Sequence, residues 1–479
     1  MAQTFFFYDL ETSGIDPVYQ RIMQFAGQRT DLALKPMGEP VNVLVKLSDD
    51  MLPEPEAVLV HGLSPQKVRA EGISEAQLSQ LLINEVFVPG TISVGFNNIR
   101  FDDEFVRHLF WRNFYDPYQW QWKDARSRWD LLDAFRLTRA LRPTGLSWPV
   151  DGEGKPTNRL ISLASANNVN LIDAHDALGD ISATLELARK LKTAQPKLFN
   201  FLLDSRHKAA VDKIIAKQPF VYSSGRYDGE FLKTTVAIVV GQDAQDSNKR
   251  LIYDLRYDPT EFMSLDVKQL RELIYRPRDE SEPLPRLPVK KLAVNRAPAV
   301  APISTLDEAA EKRIGLNLET ALKHQQILDK TPAFAARLNT AFEGMERLPR
   351  RTDPEGQLYD DRFGFLGPKD KAAINTITAA SPAALAELKL DFIDQRLDAL
   401  WLRYKARNFP EALSGDEAAR WEGWRTDKLI NGIDNSLNLA KFAERLNQLA
   451  AYRTDPKDTY LLEELKLYAE SIAPAKLFD

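Results

Sequence analysis

Cysteine is absent from this chain of 479 residues. A protein without thiols has no disulfide bond, no cysteine-ligated zinc, no iron–sulfur cluster and no thiol nucleophile. The sequence also lacks any run of about 18 uninterrupted apolar residues, so we expect no membrane-spanning segment. Its first residues lead almost directly into a strand-like run, without the charged region and cleavage site of a secretion signal. The cytoplasm is therefore the expected location.

An excess of positive charge is missing as well. Lysine and arginine together number 63, against 68 aspartate and glutamate residues, and the net charge is −5. Any nucleic-acid site must therefore be a local basic patch on an acidic body. The composition, with 44% hydrophobic and 27% charged residues, is ordinary for a soluble globular protein. The chain is longer than a single hydrophobic core usually organises, so we expect two to four domains.

The first stretch that carries chemistry runs from Thr4 to Gly14, Thr-Phe-Phe-Phe-Tyr-Asp-Leu-Glu-Thr-Ser-Gly. Its unbroken apolar part predicts a strand buried on both faces, as in an α/β sheet, and the final Ser-Gly ends it. Alternate side chains of a strand share a face, so Asp9 and Glu11 point the same way. Two adjacent carboxylates at a buried strand end favour binding of Mg²⁺ or Mn²⁺. An ordinary strand end with two solvated acids is the alternative.

A further carboxylate follows later elements of the same α/β pattern. Alternating residues predict strands at 21–30 and 39–47, a short apolar strand at 91–96, and a helix that begins around Asp102. Asp102 then lies near a helix N-terminus just beyond a strand, where α/β folds place ligand-binding groups. Simple capping of the helix by Asp102 or Asp103 is the alternative interpretation.

Asp180 lies at the start of another predicted helix, which runs to about residue 193. His175 is five residues earlier, and five residues turn a helix by about 500°. The two side chains therefore cannot face one spot from within a single helix, so we place His175 in the preceding loop and Asp180 one turn inside the helix. A lone histidine is more often structural than catalytic, but the neighbouring metal-ligand candidate favours a catalytic role here.

Between residues 107 and 142, basic and aromatic side chains alternate. Basic groups pair with phosphates, and flat aromatic faces stack on unpaired bases regardless of sequence. This interleaving favours binding of single-stranded nucleic acid, although nearby acids indicate that some arginines are structural. Tryptophans that fill an interdomain core are the alternative. The basic residues are Arg107, Arg112, Lys123, Arg126, Arg128, Arg136, Arg139 and Arg142, and the aromatic residues are Tyr115, Tyr118, Trp120, Trp122 and Trp129.

Beyond residue 195 the pattern changes to short alternating strands, at 220–223, 234–240 and 250–255, separated by turns. These strands predict a small barrel. Residues 276–296 form a proline-rich, basic surface segment, whose Lys290, Lys291 and Arg296 either reach DNA or belong to a solvated face. From about residue 350 onward, apolar residues recur at spacings of three and four, which predicts helices.

Three ordered motifs resemble those of the DEDD exonuclease superfamily. They are the stretch Asp9-Leu10-Glu11-Thr12-Ser13-Gly14, the stretch from Asn97 to Phe101-Asp102, and His175 followed after four residues by Asp180. Two further features resemble the bacterial exonuclease I family within it. One continues from the second motif through residues 112–118 and 127–133, and the other comprises residues 357–360 and 404–410. The resemblance thus covers nearly the whole chain.

This resemblance implies three domains. An α/β ribonuclease-H-like exonuclease domain would occupy residues 1–193. A small SH3-like β-barrel domain at 196–350 would close over the active site, and an all-α C-terminal domain would occupy 352–479. In the family, the last domain completes a ring around single-stranded DNA and binds the acidic C-terminal tail of the single-stranded-DNA-binding protein. The resemblance implies the same two partners here, and we expect a monomer that does not contact a membrane.

The resemblance also implies a catalytic set. Asp9, Glu11, Asp102 and Asp180 would hold two divalent ions about 4 Å apart, Mg²⁺ or else Mn²⁺. His175 would be the general base that takes the proton of the attacking water, a role that suits the ordinary histidine pKa of roughly 6.5. Asp102 is preferred to Asp103 as the ligand because it follows Phe101 directly, as in the family motif.

Substrate contacts are implied for a second set of residues. Leu10, Glu11 and Thr12 would lie against the terminal nucleotide, and Arg159 would bind phosphate near the scissile bond. His61 either contacts the same nucleotide or organises its own loop. The path of the single strand would be lined by Arg107, Tyr118, Trp122 and Arg136.

The implied activity is that of a 3′→5′ exodeoxyribonuclease. Such an enzyme releases nucleoside 5′-monophosphates stepwise from the 3′ end of single-stranded DNA, in DNA repair and recombination. One alternative is a 3′→5′ exoribonuclease, because the motifs do not discriminate between the two sugars. Another is a catalytically inactive scaffold that binds single-stranded nucleic acid. The intact set of acids argues against the scaffold, since degenerate nucleases commonly lose one of them.

Overall fold

The computed structural model describes residues 3–170, 176–216, 218–274, 276, 286–344, 351–360, 362–434 and 436–475. Over these residues the chain forms an α/β part, a second part built on an antiparallel sheet, and a helical part, which confirms the predicted fold class. The strands are β1 (Thr4–Thr12), β2 (Ile22–Thr30), β3 (Val41–Leu44), β4 (Thr91–Gly95), β5 (Ser127–Asp130), β6 (Phe220–Ser223), β7 (Thr234–Gln242), β8 (Lys249–Asp254), β9 (Val289–Ala293) and β10 (Ala299–Pro302).

Many helices begin at a polar residue whose side chain accepts a backbone hydrogen bond. Ser74 before the third helix and Ser414 before the sixteenth each form a complete capping box. The helices are α1 (Pro55–His61), α2 (Pro65–Glu71), α3 (Glu75–Leu81), α4 (Asp102–Arg112), α5 (Leu131–Leu141), α6 (Leu160–Ala166), α7 (Ala177–Ala194), α8 (Pro196–Asp204), α9 (Lys208–Ile215), α10 (Val267–Ile274), α11 (Glu308–Arg313), α12 (Leu318–Asp329), α13 (Pro332–Phe342), α14 (Pro368–Ala379), α15 (Arg396–Asn408), α16 (Gly415–Asn431), α17 (Leu439–Ala450) and α18 (Pro456–Ile472).

The first sheet has the strand order β3-β2-β1-β4-β5. β1 pairs antiparallel with β2 and parallel with β4, which in turn pairs parallel with β5. Phe5 and Phe7 of β1 pack on the face covered by α5 and α7, and Phe6 and Tyr8 pack on the opposite face, covered by α4. The aromatic run is therefore buried on both faces, as its sequence predicts.

The second sheet is antiparallel throughout, in the order β10-β6-β7-β8-β9. β6 and β10 lie against α5 of the first part, so that one hydrophobic core continues from the first sheet into the second. Helices α8 to α13 accompany this sheet. The sequence prediction named only strands for this part. α10 lies between β8 and β9, whereas α8 and α9 precede β6 and α11 to α13 follow β10.

The last helices return to the first part of the chain. Leu461 and Tyr468 of α18 and Phe442 of α17 share a buried cluster with Val58 of α1 and Val68 of α2. This shared hydrophobic cluster packs the helical part firmly against the first part of the chain. In the described residues, no helix combines the length and the apolar character needed to cross a bilayer.

Candidate active site

β1 presents Asp9 and Glu11 on the side of the sheet that α7 covers. Tyr8 and Leu10 point to the other side and pack in its core. The packing of α7 on β1 brings Asp180, in the first turn of the helix, against the two strand acids. Asp9, Glu11 and Asp180 each offer one ligand oxygen, and the three oxygens lie within 4.8 Å of one another. The structure therefore assembles three of the four predicted metal ligands into one cluster.

Crowding shows in the pKa values of these carboxyl groups. Burial raises the pKa of Asp9 well above its ordinary range, and the neighbouring acids, Asp102 first, raise it further. Burial and the charges of other acids, Asp180 first, raise the pKa of Glu11 to about 8. A set of oxygen ligands that repel one another in this way is what a divalent cation neutralises. The residues present therefore fit a divalent metal ion.

Asp102 is the first residue of α4 and lies beside this cluster. Burial, with smaller contributions from the charges of Asp103 and Asp130, raises its pKa to about 8. Its charge acts in turn on Asp9 and Glu11. The predicted fourth acid is thus close to the other three, and its role as a ligand stays a prediction.

Asp103, the neighbour of Asp102, has a different environment. It is fully buried and accepts a hydrogen bond from the Tyr8 hydroxyl. Its other oxygen pairs with the Arg128 guanidinium at 2.6 Å. Asp103 therefore joins β1, α4 and β5 from within the core, whereas Asp102 faces the acidic cluster.

These two neighbours give a direct test of the assignment. Asp103→Asn should lower the free energy of unfolding by about 2 kcal/mol, because it weakens the charge-assisted bond to buried Arg128. Asp102→Asn should leave the stability of the metal-free protein equal or higher, because it removes a carboxyl group whose pKa burial raises. Urea unfolding in EDTA measures both variants. The same loss of stability in both would contradict the division of roles.

A cavity of about 710 Å³ adjoins Asp180. Arg136 of α5 and Arg159, just before α6, line it, and Arg136 is held by Asp133 at 2.5 Å. Both arginines were predicted to contact substrate, and the structure places them together beside an acid of the cluster. Lys233, between β6 and β7, lines the same cavity. No motif surrounds Lys233, so only the docking of the second sheet on α5 reveals it.

The other predicted strand-lining residues differ in their exposure. Arg107 is buried and donates hydrogen bonds to Glu104 at 2.5 Å and Gln121 at 2.6 Å. Tyr118 is partly buried, and Trp122 is 64% exposed. Trp122 thus offers an open ring to a base, whereas the Arg107 side chain is engaged within the protein. All three contacts with DNA stay predictions.

The alternating segment 107–142 is largely structural. Trp129 is buried in the core that the first and second sheets share, as the alternative interpretation held, and Trp120 is buried in a core within the first part of the chain. Arg112 pairs with Glu75 at 2.7 Å in the interior. A buried aromatic face cannot stack on a base, so Trp120 and Trp129 do not contribute to nucleic-acid binding in this way, and Arg112 is one of the structural arginines that the sequence indicated.

Two predicted site residues near the terminal nucleotide are held by their own loops. The Thr12 hydroxyl donates to the carbonyl oxygen of Gly14 at 2.8 Å. His61 ends α1, and its Nδ1 accepts the N–H of Leu63 at 3.0 Å, a contact that supports a loop-organising role. His175 lies outside the described residues.

The basic residues of the second sheet also make contacts within the protein. Lys290 donates to a backbone carbonyl at 2.6 Å. Lys291 pairs with Asp243 at 2.8 Å, and Arg296 pairs with Glu104 of α4 at 3.1 Å. The Arg296 contact joins the second sheet to the first part of the chain. Contacts of these three residues with DNA stay predictions.

Three family models match successive parts of the chain. "Exonuclease" matches residues 6–188, "Exonuclease I SH3-like domain" residues 206–344, and "Exonuclease I C-terminal domain" residues 352–472. Exodeoxyribonuclease I of Escherichia coli (strain K12) is 35% identical over 477 residues, which cover 98% of each chain.

Solved structures agree with these matches. Exonuclease I of Methylocaldum szegediense is 38% identical, with a TM-score of 0.92 over 98% of this chain and 100% of its own. E. coli exonuclease I in complex with a dA16 oligonucleotide is 35% identical, with a TM-score of 0.93 over 98% of this chain and 100% of its own. A zinc-bound E. coli exonuclease I–ssDNA complex and an SSB/exonuclease I structure are also similar, with TM-scores of 0.92 and 0.89.

The α/β sheet and its acidic cluster define a DNA-hydrolysing exonuclease, and the matches confirm the enzyme class that the motifs predict. The three consecutive domain matches and the full-length relatives specify the family of exonucleases to which it belongs. The chain belongs to the exonuclease I family. The family and the zinc-bound relative imply dependence on a divalent metal.

Proposed function

We propose that this protein degrades single-stranded DNA stepwise from its 3′ end and releases nucleoside 5′-monophosphates. The observation that carries the proposal is the acidic cluster of Asp9, Glu11 and Asp180 beside a cavity with a cationic wall. Relatives named exodeoxyribonuclease I, and their complexes with single-stranded DNA, support the same substrate.

Mg²⁺ is the metal we propose for the cluster, held by Asp9, Glu11, Asp102 and Asp180 as two ions. Carboxylate oxygens suit Mg²⁺ and Mn²⁺, and the raised pKa values of Asp9 and Glu11 support a site that is completed by cations. When bound, the metal supplies an acidified water and neutralises charge at the reacting phosphate.

The chain's own residues hold the substrate and move the proton. Arg136 and Arg159 provide positive charge for backbone phosphates in the cavity beside Asp180. Thr12 and the backbone of β1 lie next to the acids, where the 3′-terminal nucleotide would sit. His175 is proposed to accept the proton of the attacking water.

Two further parts of the proposal concern assembly. A structure of a relative contains SSB together with exonuclease I, which supports binding of SSB by this chain as well. The C-terminal tail of SSB is the part that we propose it binds. The packing of α17 and α18 on α1 and α2 joins the two ends of the chain within one molecule. Monomeric state and cytoplasmic location stay predictions.

Purified protein should shorten a 5′-labelled single-stranded DNA from its 3′ end when Mg²⁺ is present, and leave it intact in EDTA. The same strand as RNA and a blunt duplex run in parallel, with an Asp9→Ala, Asp180→Ala variant to exclude a contaminating nuclease. Faster loss of RNA would assign the protein to the exoribonucleases. Tight binding without cleavage of any substrate would assign it to inactive scaffolds.

A further inference from the structure

The cavity beside Asp180 has walls from two parts of the chain. Arg136 and Arg159 come from the exonuclease part, and Lys233 comes from the connection between β6 and β7. Gly225, in the same connection, approaches the Arg136 guanidinium so closely that an added Cβ would lie 3.2 Å from its nitrogens. The second sheet is therefore in direct contact with the cationic wall.

The backbone around Lys233 adopts a conformation that side-chain-bearing residues rarely use. Leu232 and Lys233 have φ angles of 52° and 59°, both in the left-handed region. Backbone hydrogen bonds hold them there, from Lys233 to Asp228 at 2.9 Å and from Ser224 to Lys233 at 2.9 Å. Such conformations persist where the surroundings enforce them, and they cluster at ligand sites.

The charges of the cavity are unbalanced around Lys233. Asp133 already pairs with Arg136 at 2.5 Å and with Arg100 at 3.0 Å. Within the described part of the chain, no carboxylate pairs with the Lys233 ammonium. Partial burial, followed by the Arg136 charge, lowers the pKa of Lys233. The cavity thus brings Lys233, Arg136 and Arg159 together, a set of cations that suits an anion.

We propose that Lys233, together with Arg136 and Arg159, binds one backbone phosphate of the DNA strand close to its 3′ end. The proposed function places the scissile linkage at the acids of the cluster, so the phosphate that these three cations would bind is a neighbouring one. The SH3-like domain then positions the substrate through Lys233 and does not only cover it. This inference rests on the proposed function, because it assigns a place on the same substrate.

The first test compares Lys233→Ala with Lys233→Arg in binding a fluorescent single-stranded oligonucleotide, with Ca²⁺ in place of Mg²⁺. Lys233→Ala should weaken binding about fivefold to tenfold at low salt. Its plot of log K against log salt concentration should be shallower by about 0.7, the contribution of one phosphate contact on a single strand. Lys233→Arg should restore both values. Lys249→Ala, which removes a surface lysine paired with Asp246 at 3.4 Å, is the matched control.

The second test identifies the phosphate. A methylphosphonate removes the charge of one linkage, and placing it in turn at each of the linkages nearest the 3′ end maps the contacts. Lys233→Ala should be insensitive to neutralisation at one linkage where the wild-type protein is sensitive. An identical profile in variant and wild type, or unchanged affinity of Lys233→Ala, would overturn the inference.

The experiments distinguish failure of the phosphate site at Lys233 from failure of the proposed exonuclease function. If the wild-type protein cleaves DNA but the profile of Lys233→Ala is unchanged, the subsite is wrong and the function is retained. In the opposite outcome, the wild-type protein binds DNA without cleaving it, while Lys233→Ala has lost its sensitivity to neutralisation of one linkage. In that case the exonuclease function is wrong and the phosphate site is retained.

Discussion

Replacing Asp9 by asparagine should slow DNA cleavage about a thousandfold or more and should also raise the melting temperature of the metal-free protein. The loss of activity follows from the position of Asp9, whose carboxylate shares the cluster with Glu11 and Asp180. Stabilisation of charge by a metal ion is worth several kcal/mol, and each 1.4 kcal/mol is about a factor of ten in rate.

The gain in stability follows from the raised pKa values. An acid whose pKa is higher in the folded than in the unfolded state favours folding below its unfolded pKa, and this contribution is lost as the pH rises through the folded pKa. For Glu11 the window extends from 4.5 to about 8. Asp9 is shifted in the same direction. The metal-free protein should therefore lose stability as the pH rises through this window, and an asparagine at position 9 should remove part of that loss.

Thermal unfolding at about pH 5 and about pH 9, in EDTA and in Mg²⁺, measures these effects. Wild-type protein should gain more from Mg²⁺ at the higher pH, and Asp9→Asn should gain little at either. Glu39→Gln, which neutralises an exposed acid of the same domain, should behave as wild type. A variant at position 9 that is less stable than wild type in EDTA at both pH values would contradict the repulsion on which the argument rests.

The strand and helix positions of the acids were predictable from local patterns, whereas the resemblance to the DEDD superfamily implied that they form one metal site. The aromatic run before Asp9 predicted a buried strand, and strand alternation then puts Asp9 and Glu11 on one face. Asp180 lies in the first turn of α7, near the helix start where the sequence predicted it. Each of these inferences needs only neighbouring residues and the period of a strand or helix.

Long-range contacts were not accessible in this way. Trp120 is in the core and Trp122 on the surface, although both stand in the same aromatic segment. Lys233 reaches the cavity only because β6 and β10 dock on α5. Sequence periodicity does not report which surface a domain turns toward another, and partners distant in sequence leave no local signal.

A buried network of ion pairs between the first and last parts of the chain was likewise not predictable from local sequence. Asp50 accepts hydrogen bonds from Arg407 at 2.8 and 3.0 Å and from Lys428 at 2.6 Å. Arg407 also pairs with Glu355 at 2.7 Å, and Glu355 pairs with Arg21 of the exonuclease part at 2.8 Å. These charges alternate in sign across the interface, although more than 300 residues separate Asp50 from its cationic partners.

Asp50→Asn should therefore lower the free energy of the first unfolding transition by about 3–5 kcal/mol. Asparagine removes the negative charge that compensates Arg407 and Lys428, and both cations remain buried. Burial alone would raise the pKa of Asp50, but the charges of Arg407 and Lys428 outweigh it and hold that pKa well below its ordinary value. The carboxylate's contribution is thus present above an unfolded pKa of 3.8 and is lost as the pH falls through the folded value.

Urea unfolding at neutral pH checks the size of the effect, and the neighbouring residue provides the control. Asp49 forms an exposed pair with Arg69, with side chains 50% and 46% accessible, so Asp49→Asn should cost less than about 1 kcal/mol. Below about pH 4, the difference in stability between wild type and Asp50→Asn should narrow, because the unfolded chain then takes up a proton at Asp50 while the folded carboxylate stays ionised. Equal losses from positions 49 and 50 would show that the buried network does not hold the C-terminal helices to the exonuclease domain.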